Sequence, residues 1–415
     1  MKTWVTYIAA IAMGFATTLL FKDIEGAFGV FQGVFFFLLN LSIAIFIPVV
    51  LITFASGIAS LRKDGVGSKI SWGIFGWTLV TSILLPLCAV IVYKLFPVNF
   101  PVTSSVGSDA AYLENMVSNS SINAISQLYP TNPFFLVAYA SDFILPIIII
   151  AWILGFSLKP SSDPIRPAYT VMNSFAEVMY RITRTITLIG SLFVYVASTY
   201  VFFDMYREKT LLVAPRFTIT IICGTLTVLF FVLPLLYALL TGFRKNPYAV
   251  IFGSISSLSM AFSTGNILAA SLVGESVSRQ NGGAQKRAVS VGTPIFSLVA
   301  RGGTGFITTL VILTLMQAVT GEVVSGAIAI VIAATVMITS FSSSIFIGYE
   351  VVAIAYLTLK MLNMNFYGAE MAIVAIMPIL SGLGIMLDNA IGNLGNVIAS
   401  YFIGTDISVP YSETI

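Results

Sequence analysis

Long apolar runs alternate with short polar segments along the first part of the chain. The apolar runs cover residues 4–21, 28–61, 70–96, 134–158, 175–203 and 217–242. A transmembrane helix needs about 20 mostly apolar residues, because backbone groups in lipid must be hydrogen-bonded within the helix. The pattern therefore predicts six transmembrane helices here. The polar stretch over residues 97–133, rich in Ser and Asn, is predicted to be a loop.

After Pro247 the apolar pattern is interrupted by Gly, Ser, Thr and Asn. The interrupted segments are 253–274, 289–321, 325–362 and 369–403. Such breaks are tolerated at membrane depth only where the backbone is packed in protein or lines a cavity. We therefore expect the first half to face lipid and the second half to carry the function.

Two broken segments occupy corresponding positions in this second half. Ala261–Thr264 lies midway in one and Ser340–Ser344 midway in another, and broken helices follow at Arg301–Thr304 and Asn389–Asn396. This pairing predicts an inverted repeat of two helical hairpins, with a ligand site where their polar tips meet. The alternative is that the small residues only allow close helix packing. That alternative is favoured for any single Ser, but the paired arrangement favours a site.

Composition supports a membrane protein and excludes several other classes. Hydrophobic residues make up 58% of the 415, and mean hydropathy is +0.98. Charged residues make up 9%, against roughly 25% in soluble chains. A net charge of +3 without a basic tail argues against nucleic-acid binding. The absence of His removes imidazole metal sites and Ser-His-Asp triads, and no enzyme is predicted.

Loop charges predict the orientation of the chain. If both termini lie on one side of the membrane, most basic residues of the loops lie on that side too. The positive-inside rule assigns the side with more Lys and Arg to the cytoplasm. These residues are Lys2, Arg62, Lys63, Lys69, Lys159, Arg166, Arg244, Lys245, Arg279, Lys286 and Arg287. The exceptions are Arg207, Lys209 and Arg216. Cytoplasmic termini are therefore expected.

Several motifs resemble those of a known family. Pro130–Phe134, Phe175–Ile182, Ala261–Thr264 and Gly303–Thr304 are similar to stretches of the dicarboxylate/amino acid:cation symporters, the glutamate transporter homologues. The resemblance covers nearly the whole chain and implies a divergent member. It implies an all-α integral membrane fold of about eight transmembrane helices plus two re-entrant hairpins, a homotrimer, an elevator-type motion, and a place in the plasma (bacterial inner) membrane.

The same resemblance implies a division of the chain. Residues 1–246 would be mainly scaffold and trimerisation helices, 247–404 the transport core, and 405–415 a C-terminal tail. The hairpins would cover about 247–278, entering from the cytoplasm, and about 322–363, entering from outside. The implied partners are the lipid bilayer and a small-molecule substrate, with no nucleic acid.

This chain has only some of the residues that form the site in the family. The family's Asn-Met-Asp-Gly-Thr motif falls on Ala300–Thr304, so its cation-ligating Asn and Asp are absent. The family's substrate-pairing Arg falls on Asn389, and two of its carboxylates fall on Val397 and Met386, with Asp388 nearby. From these matches and from the intramembrane charges, the predicted substrate-binding residues are Asn266, Arg301, Thr304, Ser342, Ser343, Ser344, Gly348, Asp388, Asn389 and Asn393. The implied cation-binding residues are Thr81, Ser82 and Asn393.

Two charged residues inside the second half leave alternatives open. Arg301 either replaces a coupling cation or pairs with a substrate anion, or else it forms a structural ion pair with Asp388 or Glu350. An Arg fork suits a carboxylate partner in either case. Glu350 is either a buried proton carrier or, as we favour from the sequence, a residue in a water-exposed vestibule. Glu275 and its basic neighbours are expected to be solvated.

Function follows from the resemblance. It implies a secondary active symporter of a small organic anion, such as a dicarboxylate or an acidic amino acid, with altered cation coupling. The lost Arg and Asp favour an alternative, a transporter of a neutral or other small solute. A transport-inactive scaffold or sensor of the same fold is the other alternative. No cofactor is expected, and the candidate coupling ions are Na⁺ and H⁺.

Overall fold

The computed structural model describes residues 2–24, 26–98, 110–128, 143–207, 214–243, 245–364, 373–374, 376–404, 409 and 413–414. Across these ranges the regular secondary structure is helical, with no strand. The motif Pro130–Phe134 and most of the predicted tail lie outside the described residues.

The helices of the first half follow the apolar runs closely. They are α1 (Thr3–Phe21), α2 (Ala27–Asp64), α3 (Gly67–Leu95), α4 (Ala110–Leu128), α5 (Leu145–Ser157), α6 (Arg166–Arg207), α7 (Pro215–Thr227) and α8 (Leu233–Leu240). Gly65, with a φ of 68°, ends α2 in the left-handed conformation that favours glycine. Helix α6 begins before the predicted run and is 42 residues long.

One predicted loop contains a helix. Residues 97–133 were expected to form a loop, but α4 lies within them. This helix packs against the second hairpin, where the hydroxyls of Ser120 and Tyr349 are in contact and Lys360 donates to Glu114 over 3.0 Å. Because short polar helices gain most of their stability from tertiary packing, a local apolar pattern could not reveal it.

A π-helical turn, Val228–Val232, joins α7 to α8. Its position has a local cause, because Pro234 has no N–H to donate to the carbonyl of Phe230 four residues earlier. That carbonyl instead accepts a hydrogen bond from the Tyr248 hydroxyl at 3.0 Å. The contact ties this span to the beginning of the first hairpin.

The second half contains the two predicted hairpins. The first is α9 (Pro247–Gly253), α10 (Ile255–Thr264) and α11 (Ile267–Gln280), and a broken span of α12 (Lys286–Val299) and α13 (Gly302–Thr320) follows. The second is α14 (Gly326–Ser340), a 3₁₀ turn (Phe341–Ile345) and α15 (Glu350–Met361), and it precedes α16 (Met377–Phe402). Both units thus have a hairpin followed by a span, as in an inverted repeat.

The hairpins enter from opposite ends of the molecule. Near the base of the first hairpin, Asn246 and Asn281 line one cavity together with Thr414. At the base of the second, the N–H of Val324 donates to the Tyr93 hydroxyl over 3.0 Å, at the far end of α3. Lys2 donates to the Thr414 hydroxyl over 3.2 Å, so the described ends of the chain share one side.

Seven described helical segments are long and apolar enough to cross a membrane. This count includes the first arm of the second hairpin, and it omits α5, which has 13 residues. It also omits α16, although that helix has 26 residues, because its Asp and Asn side chains reduce its hydropathy. The predicted count of about eight spans plus two hairpins stays a prediction.

Packing divides the chain differently from the boundary predicted at residue 246. Helices α1, α2, α5 and α6 pack mainly on one another, but α3 packs mainly on α13, α14 and α16. Helix α3 therefore belongs with the second half, although the predicted division grouped it with the first. The helices that enclose the broken span come from both halves of the sequence.

Candidate functional site

The break between α12 and α13 is the centre of the candidate site. Ala300 and Arg301 interrupt the helix, and the Arg301 guanidinium turns back onto α12. Its Nη2 donates to the Ser297 carbonyl over 2.7 Å and its Nε to the Leu298 carbonyl over 3.3 Å. A helix C-terminus exposes carbonyls that attract cations. Here a tethered guanidinium occupies that position.

Asp388 of α16 stabilises the other side of the break. Its Oδ1 accepts from the N–H groups of Gly303 and Thr304 at 2.7 and 3.1 Å, and its Oδ2 accepts from the Thr304 hydroxyl at 2.5 Å. The carboxylate thus lies where the N-terminus of α13 attracts negative charge. Arg301 Nη1 is 3.7 Å from Asp388 Oδ2, and both side chains are buried.

This contact requires close approach of α13 and α16. A Cβ on Gly303 would lie 2.3 Å from the Leu387 Cβ and 2.7 Å from the Gly384 carbonyl oxygen. A Cβ on Gly302 would lie 2.9 Å from the Thr81 carbonyl oxygen on α3. The paired glycines therefore let the chain bring Asp388 and α3 directly against the break.

A row of amides continues along α16 from Asp388. Asn389 Oδ1 accepts from the Ser257 hydroxyl at 2.5 Å and from Asn393 Nδ2 at 2.9 Å. Asn393 Oδ1 accepts from the Ser278 hydroxyl at 3.2 Å, which connects α16 to the first hairpin. A cavity of about 10 Å³ lies beside these groups, roughly enough for one water molecule.

The tip of the first hairpin is closed by its own hydrogen bonds. Gly265 has a φ of 56° and ends α10. Asn266 then caps α11, because its Oδ1 accepts from the N–H groups of Leu268 and Ala269 at 2.9 and 3.1 Å. The Asn266 side chain is buried.

The tip of the second hairpin is less regular. Ser342 donates to the Thr339 carbonyl over 2.6 Å, whereas the buried Ser343 hydroxyl has no hydrogen-bond partner. Ser344 is also buried. Gly348 has a φ of 92°, and its carbonyl accepts from the Ser381 hydroxyl at 3.5 Å.

Both tips line one cavity of about 350 Å³, against helices α2 and α6 of the first half. The hairpins contribute Asn266 and Gly348, and α16 contributes Ser381. Helices α2 and α6 contribute Asn40, Tyr200 and Asp204, and Asp204 is the charged residue among the described lining. The cavity therefore offers polar groups and one carboxylate to a small solute.

The predicted site residues fall into four places. Arg301, Thr304 and Asp388 meet at the break, and Asn389 and Asn393 lie together in the amide row. Asn266 and Gly348 line the tip cavity, and Ser342, Ser343 and Ser344 form the 3₁₀ turn.

Two of the three predicted cation ligands, Thr81 and Ser82, lie on α3 behind the break. The Thr81 hydroxyl donates to the Trp77 carbonyl over 2.9 Å, and the buried Ser82 hydroxyl has no hydrogen-bond partner. Asn393, the third predicted ligand, lies in the amide row instead. Among the described residues, no cluster of three or more Asp, Glu, Cys or His side chains could hold a metal ion.

The chain was compared with models of known protein families and with curated proteins. A family model described as the sodium:dicarboxylate symporter family matches residues 3–405. The chain belongs to this family. No curated protein matches it.

Membership in this symporter family, together with the apolar helices, makes the chain an integral membrane protein of a transporter family. The family consists of transporters, which fits the expectation that the chain is not an enzyme. The resemblance drawn from the sequence motifs is therefore confirmed.

Two carboxyl groups of this symporter-family chain lie in places that the sequence analysis did not predict. Glu350 was expected in a water-exposed vestibule, but its side chain is fully buried. Glu275 was expected to be solvated, yet it is 2% exposed. Both expectations were wrong because the second arms of the hairpins are enclosed by other helices. The one local signal was that Glu350 directly precedes the apolar run 351–357.

Proposed function

We propose that this protein is a secondary transporter of a small polar solute, in which the cation coupling of the family has been altered. The observation that carries the proposal is the ion pair inside the broken span. Arg301 binds the carbonyls of Ser297 and Leu298 and faces Asp388. An internal cation thus occupies the place where a broken helix would otherwise attract a dissolved one.

Sodium coupling at this break is disfavoured by the residues that remain. Positions 302 and 397 are Gly and Val, where the family resemblance implied carboxylates. Sodium is a hard cation that prefers several oxygen ligands, and a guanidinium beside the same carbonyls repels it. We therefore propose weak or absent sodium dependence of transport.

The solute follows from the charges. Arg301 is already matched by Asp388, so it is not available to pair with a substrate anion. The described lining of the tip cavity has no Lys or Arg side chain that could attract a dicarboxylate. These charges favour a neutral or zwitterionic polar solute over the small organic anion first considered. A dicarboxylate or acidic amino acid stays the second candidate, and it would require Arg301 to leave Asp388.

The mechanism proposed is an elevator-type movement of residues 247–404, with α3, against the scaffold. The support is the grouping of helices, in which α3 and the hairpins enclose α13 and α16. By analogy with the family we also propose a homotrimer in the plasma (bacterial inner) membrane with cytoplasmic termini. The polar tips that line one cavity favour a working transporter over a transport-inactive scaffold or sensor.

Thermal unfolding of the purified protein with and without ligands tests the solute. A ligand that binds only the folded state raises the unfolding temperature by mass action. Serine, as a zwitterion, should raise it more than succinate at equal concentration, and Na⁺ should change it little. A larger shift with succinate would contradict the charge argument, and steep Na⁺ dependence of uptake into proteoliposomes would contradict the altered coupling.

A further inference from the structure

Glu350 begins α15 at the inner end of the second hairpin and is fully buried. Neither of its carboxylate oxygens has a hydrogen-bond partner. The nearest donors are the backbone N–H groups of Gly348 and of Glu350 itself, at the N-terminus of α15. A buried carboxylate without a counter-ion of its own is rare, because an unpaired buried charge is strongly unfavourable.

The charged groups that act on Glu350 are Arg301 and Asp388. The helices packed against α15 include α13, α14 and α16, with the 3₁₀ turn and α4. Helices α13 and α14 and the 3₁₀ turn have no ionisable side chain, and α16 contributes Asp388. On α4, the described acid is Glu114, which pairs with Lys360 at the other end of α15.

Among the described residues, the enclosure contains one cation, Arg301, for two carboxyl groups, Asp388 and Glu350, so an ionised Glu350 would have no counter-charge left. Asp388 receives two backbone N–H groups, the Thr304 hydroxyl and the nearby guanidinium, so it is stabilised as an anion. Arg301 is a fixed cation, and this single charge is matched by Asp388. A second carboxylate in the same enclosure would be a buried charge near two backbone N–H groups and without a counter-ion of its own.

The hairpin that carries Glu350 is less enclosed by protein than the first hairpin. The outer surface of α14 is exposed at Ile330, Val331 and Ile338, each more than half exposed. Ile347 and Gly348, just before Glu350, line the tip cavity. Elements with few buried contacts and irregular ends open most easily. Opening of this hairpin would bring water to Glu350 through that cavity.

We propose that Glu350 is a proton-binding site of the second hairpin, protonated while the hairpin is closed and ionised when it is open. The carboxylate takes a proton from water in the cavity, becomes a neutral acid on closure, and returns the proton to water on reopening. This inference deepens the proposed function and rests on it in one respect, since it makes H⁺ the coupling ion.

Thiol accessibility of the hairpin tip tests this site without any solute. Ser343→Cys is introduced after Cys88 and Cys223 have been replaced by Ala, and labelling by a maleimide is followed over a range of pH. Each rate is divided by the rate for the denatured protein at the same pH, which removes the ionisation of the thiol itself. The corrected rate should rise about tenfold per pH unit where one deprotonation limits opening.

The variants separate Glu350 from its neighbours. With Glu350→Gln the corrected labelling rate should equal the wild-type rate at low pH and should not change with pH, because the amide mimics the protonated acid. Glu322→Gln, an exposed acid before the same hairpin, is the matched control and should keep the slope. Glu350→Ala serves as a second variant without a proton site.

A pH slope that survives in Glu350→Gln or Glu350→Ala would assign the titration to another group such as Asp388 and overturn the proposal. A wild-type rate without pH dependence would overturn it too. Because no solute is used, a failed transport screen would count against the proposed function and not against this proton site.

Discussion

The broken span of the core and the first helix of the scaffold are both apolar, but their surroundings differ sharply. In the most apolar stretch of Lys286–Thr320, 89% of residues are buried inside the protein, against 22% in Thr3–Phe21. The enclosed span has Arg301 at its centre, whereas α1 exposes Met13 and Leu20. Polarity at membrane depth is therefore tolerated where protein, rather than lipid, surrounds the helix.

The largest effect expected from this difference is that of Arg301→Gln. It leaves the buried Asp388 without its cation, and the free energy of unfolding without ligand should fall by about 3–5 kcal/mol. The matched scaffold variant is Arg207→Gln, whose guanidinium lies 4.3 Å from the centre of the Phe28 ring. That variant should lose no more than about 1 kcal/mol. Denaturant unfolding in detergent measures both, and equal small losses would show that Asp388 does not need Arg301.

Two glycine substitutions test the same difference through the packing around each helix. Gly303→Ala forces a Cβ against the Leu387 Cβ and the Gly384 carbonyl, and these atoms cannot move aside by a rotamer change. We expect it to lower stability by about 1–3 kcal/mol. Gly29→Ala in α2 meets nothing within 4 Å and should be neutral or stabilising by up to about 1 kcal/mol. Thermal unfolding measures both variants, and an equal shift of the unfolding temperature in the two would contradict this expectation.

Helix caps provide a smaller contrast, between an enclosed and an exposed hairpin end. Asn266→Ala removes a buried cap that accepts from two N–H groups and should lower stability by about 1 kcal/mol. Ser325→Ala removes an exposed cap whose single hydrogen bond, from the Ile328 N–H, is 3.4 Å long. We expect less than half that loss from it, measured by the same unfolding assay. A larger loss for Ser325→Ala would mean that enclosure does not set the strength of these caps.

The smallest effect is expected where scaffold and core meet at the cytoplasmic side proposed here. Glu177 of α6 lies 3.2 Å from Lys286 and 3.8 Å from Arg279, and its side chain is 43% exposed. Glu177→Gln should lower stability by only about 0.2–1 kcal/mol, because exposed ion pairs are weak. High salt should abolish the difference between variant and wild type. A salt-independent loss would show instead that this contact is effectively buried.

Much of the fold was predictable because lipid imposes a simple requirement on sequence. Each of the first six apolar runs overlaps a helix, and the broken segments after Pro247 overlap the hairpins and broken spans, although α5 and α6 differ from their runs by up to about ten residues at one end. The break at Arg301 was also predictable, since Gly302 and Gly303 follow a fixed charge in an apolar run. Helix α4 was not, because it depends on packing against the second hairpin.

By itself the sequence determined that this is a membrane protein whose second half consists of interrupted helices with polar residues at the breaks. Only the tertiary structure decided which of them pair. Arg301 and Asp388 are far apart in sequence and meet because two helices approach at Gly303, and Glu350 is buried because neighbouring helices enclose α15. Hydropathy follows from each residue and its neighbours in the chain, whereas enclosure and charge compensation depend on helices distant in sequence.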